Sequence, residues 1–148
     1  LTVSPDREPI KRSYTISSSP TERDYCEITV KREEQGAVSR FLHDHVHEDD
    51  TLQVTAPSGR FTFTGEESTS VVLIGGGVGV TPMMSAVRYL TKRSWLHDIY
   101  FVFAGRGEAD IIFREELEYL QRRYSNLHLI FALEQVEASD GRYVKGRI

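Results

Sequence analysis

Cysteines and long apolar runs are scarce in this 148-residue chain, and each scarcity excludes a class of protein. Cys26 is the only cysteine, so the chain alone cannot build a disulfide, a cysteine zinc site or a four-cysteine iron–sulfur cluster. No segment approaches the roughly 18 consecutive apolar residues of a membrane span, and residues 1–12 lack the apolar core of a signal peptide. The sequence therefore predicts a cytoplasmic protein without a membrane span.

Positive charge is also in short supply. The chain has 18 Lys and Arg against 22 Asp and Glu, a net charge of −4, which leaves no broad basic surface for nucleic acid. A hydrophobic content of 39% and a charged content of 27% are ordinary for a globular domain. We expect a folded chain with no nucleic-acid partner.

The first part of the chain has the pattern of short β segments separated by turn residues. A single helix is predicted there, because Val38, Phe41, Leu42 and Val46 recur at helical spacing. The predicted strands are residues 12–17, 25–32, 51–56 and 60–63. This pattern favours an antiparallel β structure.

From Ser70 onward, apolar strands alternate with amphipathic helices. Strands are predicted at 71–74, 99–104 and 127–133, and helices at 81–90 and 113–124. This order requires crossover connections and hence a parallel sheet. The run Val71–Ile74 is typical of a strand buried on both faces. The polar segment 65–69 separates the part with short β segments from the part in which strands and helices alternate. We therefore predict domains at 1–66 and 67–148.

A turn with four glycines, Gly75, Gly76, Gly77 and Gly79, joins the first of these strands to its helix. Glycine lets a ligand approach the backbone closely, and Pro82 suits the first turn of a helix that Thr81 can cap. The N–H groups and dipole at that helix start favour an anion, which predicts a site for the phosphates of a dinucleotide. The spacing departs from G-x-G-x-x-G, because Pro82 replaces the third glycine. An ordinary tight turn is the alternative.

Two segments of the first part carry further groups that suit a nucleotide-like cofactor. Arg12 and Tyr14 alternate onto one face of a predicted strand, where a ring can stack on a flat heterocycle beside a phosphate-binding guanidinium. Gly36–Ser39 places a glycine and a hydroxyl at a helix start, which suits a second anion. An exposed edge strand and a simple helix cap are the structural alternatives.

In combination and in order, RSYTISSSP, ITVKR, GAVS, PSGRF and GGGVGVTPMMS resemble the ferredoxin–NADP reductase superfamily. The resemblance covers nearly the whole chain. It implies an incomplete antiparallel Greek-key β-barrel that binds flavin, followed by an incomplete parallel α/β domain that binds NAD(P). It also implies that the first barrel strands and the later nucleotide-domain segment are missing, so we expect a fragment that binds flavin weakly and is inactive alone.

The resemblance assigns roles to residues of both domains. It places Arg12 on a flavin phosphate, Tyr14 against the isoalloxazine and Thr15 near flavin N5, and it places Thr81 close to the flavin. Tyr14, Thr15 and Thr81 are therefore the implied catalytic residues, acting by positioning. The implied flavin-binding residues are Arg12, Ser13, Tyr14, Thr15, Val30, Lys31, Arg32, Gly36, Ala37, Val38 and Ser39. The implied nucleotide-binding residues are Gly76, Gly77, Val78, Gly79, Val80, Thr81, Pro82, Arg106 and Asp110.

The implied function is an NAD(P)H-dependent flavoprotein reductase that passes hydride to FAD and single electrons to a partner. FAD is favoured over FMN. Arg106 suits the 2′-phosphate of NADPH, although NADH stays open. The implied partner is a one-electron acceptor such as a ferredoxin-type iron–sulfur domain, a globin or an oxygenase component. A non-catalytic nucleotide-binding regulator and a reductase that releases free reduced flavin are the alternative functions.

Histidines and acidic residues cluster at 43–50, in the segment HDHVHEDD. Residues two apart on a helix point about 200° apart and cannot converge on one ion, whereas residues four apart can. Among the three histidines, only His43 and His47 have that spacing. We therefore predict no metal site and interpret the segment as a solvated helix end followed by an acidic turn.

Overall fold

The chain forms an antiparallel region followed by a parallel α/β region, in a computed structural model that describes residues 1–4, 8–136 and 143–146. In the antiparallel region, β1 (Thr2–Val3) pairs with β2 (Ile10–Lys11). Single bridges join Thr2 to Gln53 and Ile16 to Ile28, and α1 spans Ala37–Asp44. The predicted helix is present and somewhat shorter than expected.

The strands predicted at 12–17, 25–32, 51–56 and 60–63 are wrong as continuous strands. Only Ile16, Ile28 and Gln53 within them take part in described β pairing. A strand is stable only beside a neighbour that pairs with its backbone, and these segments meet a neighbour at single positions. The first two segments are connected by one backbone bond, from the Ser17 N–H to the Glu27 carbonyl at 2.8 Å, and by side chains. Ser17 Oγ lies 3.0 Å from Thr29 Oγ1, and Ser18 Oγ accepts from the Glu27 N–H at 3.0 Å.

The parallel region has the predicted alternation of strands and helices. Its elements are β3 (Ser70–Gly76), α2 (Thr81–Lys92), β4 (Asp98–Gly105), α3 (Arg114–Arg123), β5 (Leu127–Leu133) and β6 (Tyr143–Lys145). The four strands lie in the order β3-β4-β5-β6, and every neighbouring pair is parallel. The fold class expected from the sequence is confirmed, and β6 is a strand that the sequence pattern did not predict.

One face of this sheet carries the hydrophobic core. Met84 and Val87 of α2, Leu117 of α3 and the alternate residues Phe101 and Phe103 of β4 are all fully buried in one cluster. Both helices therefore cover the same face. This burial is the main source of stability for the region, at roughly 1.5–3 kcal/mol for each large side chain.

The opposite face of β3 is open in the described part of the chain. Val72 is 58% exposed and Ile74 is 52% exposed, so the prediction that this strand is buried on both faces is wrong here. The physical reason is that α2 and α3 both pack against the face that carries Leu73. No described helix is long and apolar enough to cross a membrane.

A compact turn lies where the sequence predicts the domain boundary. The Glu67 carboxylate accepts from the N–H groups of Thr64 and Gly65 at 2.9 Å each, and these backbone bonds lower the pKa of Glu67. Trp95 Nε1 donates to the Gly65 carbonyl at 3.0 Å. The bounds 1–66 and 67–148 stay a prediction; below, these ranges are called the first half and the second half.

Candidate functional site: a pocket shared by the two halves

The glycine turn after β3 combines tight packing with an open side. A Cβ added at Gly76 would lie 3.1 Å from the Ala104 backbone oxygen, whereas one added at Gly77 or Gly79 would meet nothing within 4 Å. Gly77 has a φ of +49°, a conformation that disfavours side chains. The turn is therefore closed toward the sheet and accessible from outside at Gly77 and Gly79.

The helix after this turn begins as expected except for its cap. Residues Gly77–Val80 form one 3₁₀ turn, and Pro82 lies in the first turn of α2. Thr81 is itself the first helical residue, and its hydroxyl donates to the Val78 carbonyl at 3.0 Å. The predicted N-cap role of Thr81 is therefore wrong, because its hydroxyl and its backbone N–H both donate to the Val78 carbonyl and so stabilise the 3₁₀ turn.

A pocket of about 410 Å³ lies against the first half and reaches Val78 of the glycine turn. Its walls contain aromatic, cationic and small residues together with a helix start. The lining residues are Arg12, Tyr14, Thr29, Lys31, Glu33, Gln35, Gly36, Ala37, Val38, Ser39 and Val78. The structure thus brings together residues from the three predicted flavin segments and one residue from the predicted nucleotide turn.

Tyr14 and Arg12 form one side of the pocket. Tyr14 is half-buried, and burial raises the pKa of its phenol, an effect that the charge of Arg12 partly offsets. The phenol therefore stays neutral near pH 7 and presents an apolar ring with a hydrogen-bond donor. Arg12 is exposed and donates to the Lys11 carbonyl at 2.9 Å. The guanidinium is thus accessible to an anion beside the ring.

The start of α1 forms another side. The buried Ser39 hydroxyl donates to the Gly36 carbonyl and accepts from the Glu33 N–H, each at 3.2 Å. A Cβ at Gly36 would lie 2.4 Å from Ser39 Oγ, so a larger residue there would displace the Ser39 hydroxyl from its two hydrogen bonds. Since the hydroxyl is used inside the chain, the groups offered to a ligand here are the backbone N–H groups of the first turn.

Residues 29–33 divide between the pocket and the opposite side. Thr29, Lys31 and Glu33 line the pocket, with an ion pair of 3.0 Å between Lys31 and Glu33. Arg32 instead donates to both oxygens of Asp44, at 3.0 and 2.8 Å, and this pairing lowers the pKa of Asp44. The Val30 carbonyl lies 2.8 Å from His43 Nε2. Alternate residues of this segment therefore differ in their surroundings: positions 29, 31 and 33 line the pocket, whereas positions 30 and 32 contact α1.

Several predicted site residues lie outside the pocket lining. Ser13 and Thr15 are exposed, whereas Thr81 is buried at 5% exposure beneath the turn. Among the predicted catalytic residues, only Tyr14 lines the pocket. In the turn, Gly76, Gly77, Gly79, Val80 and Pro82 flank Val78 without lining the pocket. Their proposed contacts with a ligand stay predictions.

The segment after β4 holds the remaining predicted residues. One Asp110 carboxylate oxygen accepts from the N–H groups of Arg106 and Gly107 at 3.1 Å each. The Arg106 side chain is 76% exposed and its Nε lies 3.7 Å from Asp110. Asp110 thus shapes this turn, while the Arg106 guanidinium is accessible at the carboxyl end of the sheet.

The acidic and histidine-rich segment 43–50 shows ordinary surface contacts. Among the described residues, no group of three or more His, Cys, Asp or Glu side chains could hold a metal ion. The Asp50 carboxylate accepts from the His47 N–H at 2.8 Å. These contacts match the acidic turn that the sequence indicated.

Sequence reasoning missed two sets of residues. Thr29, Glu33 and Gln35 line the pocket, and alternation with Lys31 was the signal for the first two. Arg88 was not singled out, yet it joins the two halves through Ser17 and Glu27. Its sequence signal was weak, because an arginine on an amphipathic helix is usually solvated.

Comparisons with known proteins agree with this arrangement. The family described as "Oxidoreductase FAD-binding domain" matches residues 1–63, and that described as "Oxidoreductase NAD-binding domain" matches residues 73–148. The chain is 42% identical over 127 residues to a glycine betaine monooxygenase reductase subunit of Pseudomonas aeruginosa, covering 84% of the chain and 35% of the relative. It is 36% identical over 135 residues to a flavohemoprotein of Halalkalibacterium halodurans, covering 87% and 33%.

Solved structures show the same fold. The FAD/NAD-binding domain of a nitric oxide dioxygenase from Vibrio cholerae superposes with a TM-score of 0.87 at 27% identity, covering 99% of this chain and 62% of that one. Phthalate dioxygenase reductase superposes with a TM-score of 0.68 at 20% identity, covering 98% and 55%. The chain spans about a third of the length of the curated relatives it matches. It belongs to the ferredoxin–NADP reductase superfamily, with an FAD-binding domain followed by an NAD-binding domain.

Proposed function

We propose that this chain is the coenzyme-binding part of an NAD(P)H-dependent reductase, in which hydride passes from nicotinamide to FAD and single electrons then pass to a protein partner. The observation that carries the proposal is the shared pocket, in which Arg12 and Tyr14 of the first half face the same space as Val78 of the glycine turn. A cavity that is lined by the flavin segments and reaches the glycine turn suits two coenzymes that must meet for hydride transfer.

The residues of the pocket fit a flavin. Tyr14 offers a ring for a flat heterocycle, Arg12 and Lys31 offer cations, and the first turn of α1 offers N–H groups for a pyrophosphate. When bound, FAD supplies the chemistry that converts hydride transfer into one-electron transfer. The chain's own residues would bind and orient it.

The remaining task of these residues is geometric. Hydride transfer requires reacting atoms about 3–3.5 Å apart and needs no proton acceptor, so we assign Tyr14, Thr15 and Thr81 to positioning. The half-buried phenol of Tyr14 can pack against a ring and exclude water from it. Thr81 would act from below the glycine turn by fixing Val78 through their hydrogen bond.

The glycine turn and the segment after β4 would hold the nicotinamide nucleotide. Gly77–Thr81 would bind near the nicotinamide, and Arg106 with Asp110 near the adenosine. The exposed guanidinium of Arg106 favours a 2′-phosphate and hence NADPH. NADH remains the alternative coenzyme, since 2′-phosphate contact by Arg106 is not required for binding the rest of the nucleotide.

The electron acceptor is proposed from the relatives. Those named above are a monooxygenase reductase subunit, a flavohemoprotein and a reductase whose description includes a [2Fe–2S] centre. We therefore propose an iron–sulfur, haem or oxygenase partner, with a cytoplasmic location where NAD(P)H is available.

The test is anaerobic reduction of the full natural chain after purification with FAD. We expect a yellow protein that bleaches when NADH or NADPH is added, because the nicotinamide reduces the bound flavin. Tyr14→Ala should lower FAD affinity by about tenfold through lost ring contact, whereas Tyr119→Ala, at an exposed position on α3, should not change it. Unchanged FAD affinity in Tyr14→Ala would contradict the assigned pocket.

The same experiment separates the rival functions. A colourless protein that binds nucleotide would favour a regulatory module. A yellow protein that loses its flavin to the filtrate after reduction would favour a reductase that releases free reduced flavin.

A further inference from the structure

A polar stripe on α2 contacts the first half of the chain. Ser85, Arg88 and Lys92 follow one another at spacings of three and four residues, which places them on one face of the helix. Ser85 Oγ donates to the Ser18 carbonyl at 2.8 Å, and Lys92 forms an ion pair with Glu22. The same helix packs Met84, Val87 and Leu90 into the core of the second half. Thus α2 contacts both halves at once.

Arg88 makes the central contact of this stripe. Its Nε and Nη2 donate to the two oxygens of Glu116 on α3, each at 2.7 Å. Its Nη1 donates to Glu27 Oε1 at 2.6 Å and to the Ser17 carbonyl at 2.8 Å. The guanidinium is therefore bound by one carboxylate from each half, and its bonds to both raise the pKa of Arg88.

The Arg88 guanidinium is largely buried, so it depends on its hydrogen-bond partners. The Arg88 side chain is only 16% exposed and its guanidinium carbon lies 5.2 Å from the centre of the Phe113 ring. A cation at such a position requires its full set of partners, since a buried charge that loses one is destabilised. Movement of the first half away from α2 would break the bonds to Glu27 and Ser17 and leave that part of the guanidinium unpaired.

Short chain segments connect this contact to the pocket. Ser17 and Ser18 are buried and lie at and directly after the end of the segment 12–17 predicted to bind flavin, two and three residues after Thr15. On the other side, Ser85 and Arg88 belong to the helix that begins at Thr81, immediately after the glycine turn. The contact therefore fixes the separation of two segments, one of which leads to the glycine turn within about two helical turns and the other to the predicted flavin residues within a few residues.

We propose that Arg88 is a positioning residue that holds the two halves in the relative placement required for hydride transfer, without touching either coenzyme. The inference rests on the proposed function and adds a residue outside the pocket to it. Misplacement of reacting groups by about 1 Å can cost about a hundredfold in rate, so loss of this contact should slow the chemical step more than it weakens binding.

The kinetic test compares Arg88→Met with Arg93→Met in the FAD-loaded full natural chain. Arg93 follows the same helix and contacts Tyr89 within the second half, so it is the matched control. For Arg88→Met we expect the rate constant for anaerobic flavin reduction at saturating NAD(P)H to fall about 10- to 100-fold. Dissociation constants for FAD and nucleotide should change less than about threefold, and Arg93→Met should behave as wild type.

Two glutamate variants and one conservative variant separate positioning from general stabilisation. Glu27→Gln weakens the contact across the halves, whereas Glu116→Gln weakens a contact inside the second half. We expect Glu27→Gln to slow flavin reduction and Glu116→Gln to slow it less. Arg88→Lys should recover part of the lost rate, because the charge returns while the simultaneous contact with both carboxylates does not. Equal slowing by both glutamine variants would overturn the proposal.

A second readout needs no coenzyme. Spin labels at the exposed positions Arg40 on α1 and Gln121 on α3, in a Cys26→Ser background, report the distance between the halves. We expect a narrow distance distribution in the parent protein and Arg93→Met, and a broader or shifted one in Arg88→Met and Glu27→Gln. An unchanged distribution in both variants would overturn the proposal. If the parent protein shows no flavin reduction at all, the proposed function fails, while these distances still decide whether Arg88 holds the halves together.

Discussion

Replacing Gly79 by alanine tests whether the glycine turn contacts a bound nucleotide or only connects β3 to α2. Gly79 lies in the 3₁₀ turn before α2, does not have a positive φ, and an added Cβ would meet no atom within 4 Å. The folded chain therefore accepts the methyl group. Alanine also loses less conformational entropy than glycine on folding, by about 0.5–1 kcal/mol, so Gly79→Ala should raise the melting temperature by about 0–4 °C.

Nucleotide binding should respond in the opposite direction. If the nicotinamide nucleotide approaches the backbone at this turn, the methyl group occupies space that the ligand needs. We expect the dissociation constant for NADH or NADPH to rise about tenfold, equivalent to about 1.4 kcal/mol. Calorimetric titration beside thermal unfolding measures both quantities on the same sample.

Gly77→Ala is the matched control for backbone strain. With φ at +49°, alanine there costs about 1–2 kcal/mol and should lower the melting temperature by about 2–8 °C. If Gly79→Ala binds nucleotide like the wild type while remaining folded, the open side of the turn is not where the nucleotide lies, and the reasoning fails.

Three further predictions address pH, coenzyme choice and the core. The hydrogen bond from Arg88 lowers the pKa of Glu27 below its ordinary 4.5, so its contribution to stability is present above that value and is lost as pH falls through the lowered pKa. Urea midpoints measured from pH 7 to pH 3 should therefore fall less for Glu27→Gln than for wild type, and parallel curves would contradict this. Arg106→Gln should reduce the preference for NADPH over NADH by about tenfold in competitive titrations, and an unchanged ratio would remove Arg106 from the nucleotide site. Phe103→Ala should cost about 3–5 kcal/mol in chemical unfolding because Phe103 is fully buried, whereas Phe61→Ala, at a 73% exposed position, should cost little; similar losses would disprove the assigned core.

The parallel region from β3 to β5 could be predicted from sequence because the signals of these elements are local. An apolar run leads into the glycine turn before α2, and Leu117 and Leu120 mark the inner face of α3. Each element therefore carries the information for its own boundaries. The exposure of Val72 and Ile74 could not be foreseen, because an apolar run does not record which faces of its sheet are covered.

The antiparallel region was predicted less well for a physical reason. Strand-like segments around Ile16 and Ile28 meet at one bridge, because pairing depends on where the partner segment lies and not on the segment itself. In the candidate site, Arg12, Tyr14 and Gly36–Ser39 could be predicted, since each belongs to a short motif. The position of Arg32 outside the pocket lining could not be foreseen without knowing that Asp44 lies beside it.

The contacts that α2 of the second half makes with the first half also matter for protein engineering. Glu22 and Glu27 lie in the first half of the chain, while their partners Lys92 and Arg88 lie in the second half. A chimera that takes its flavin module from one reductase and its pyridine-nucleotide module from another would separate these pairs unless both parents share them. Productive domain swaps should therefore transplant the matching carboxylates and cations together with the modules.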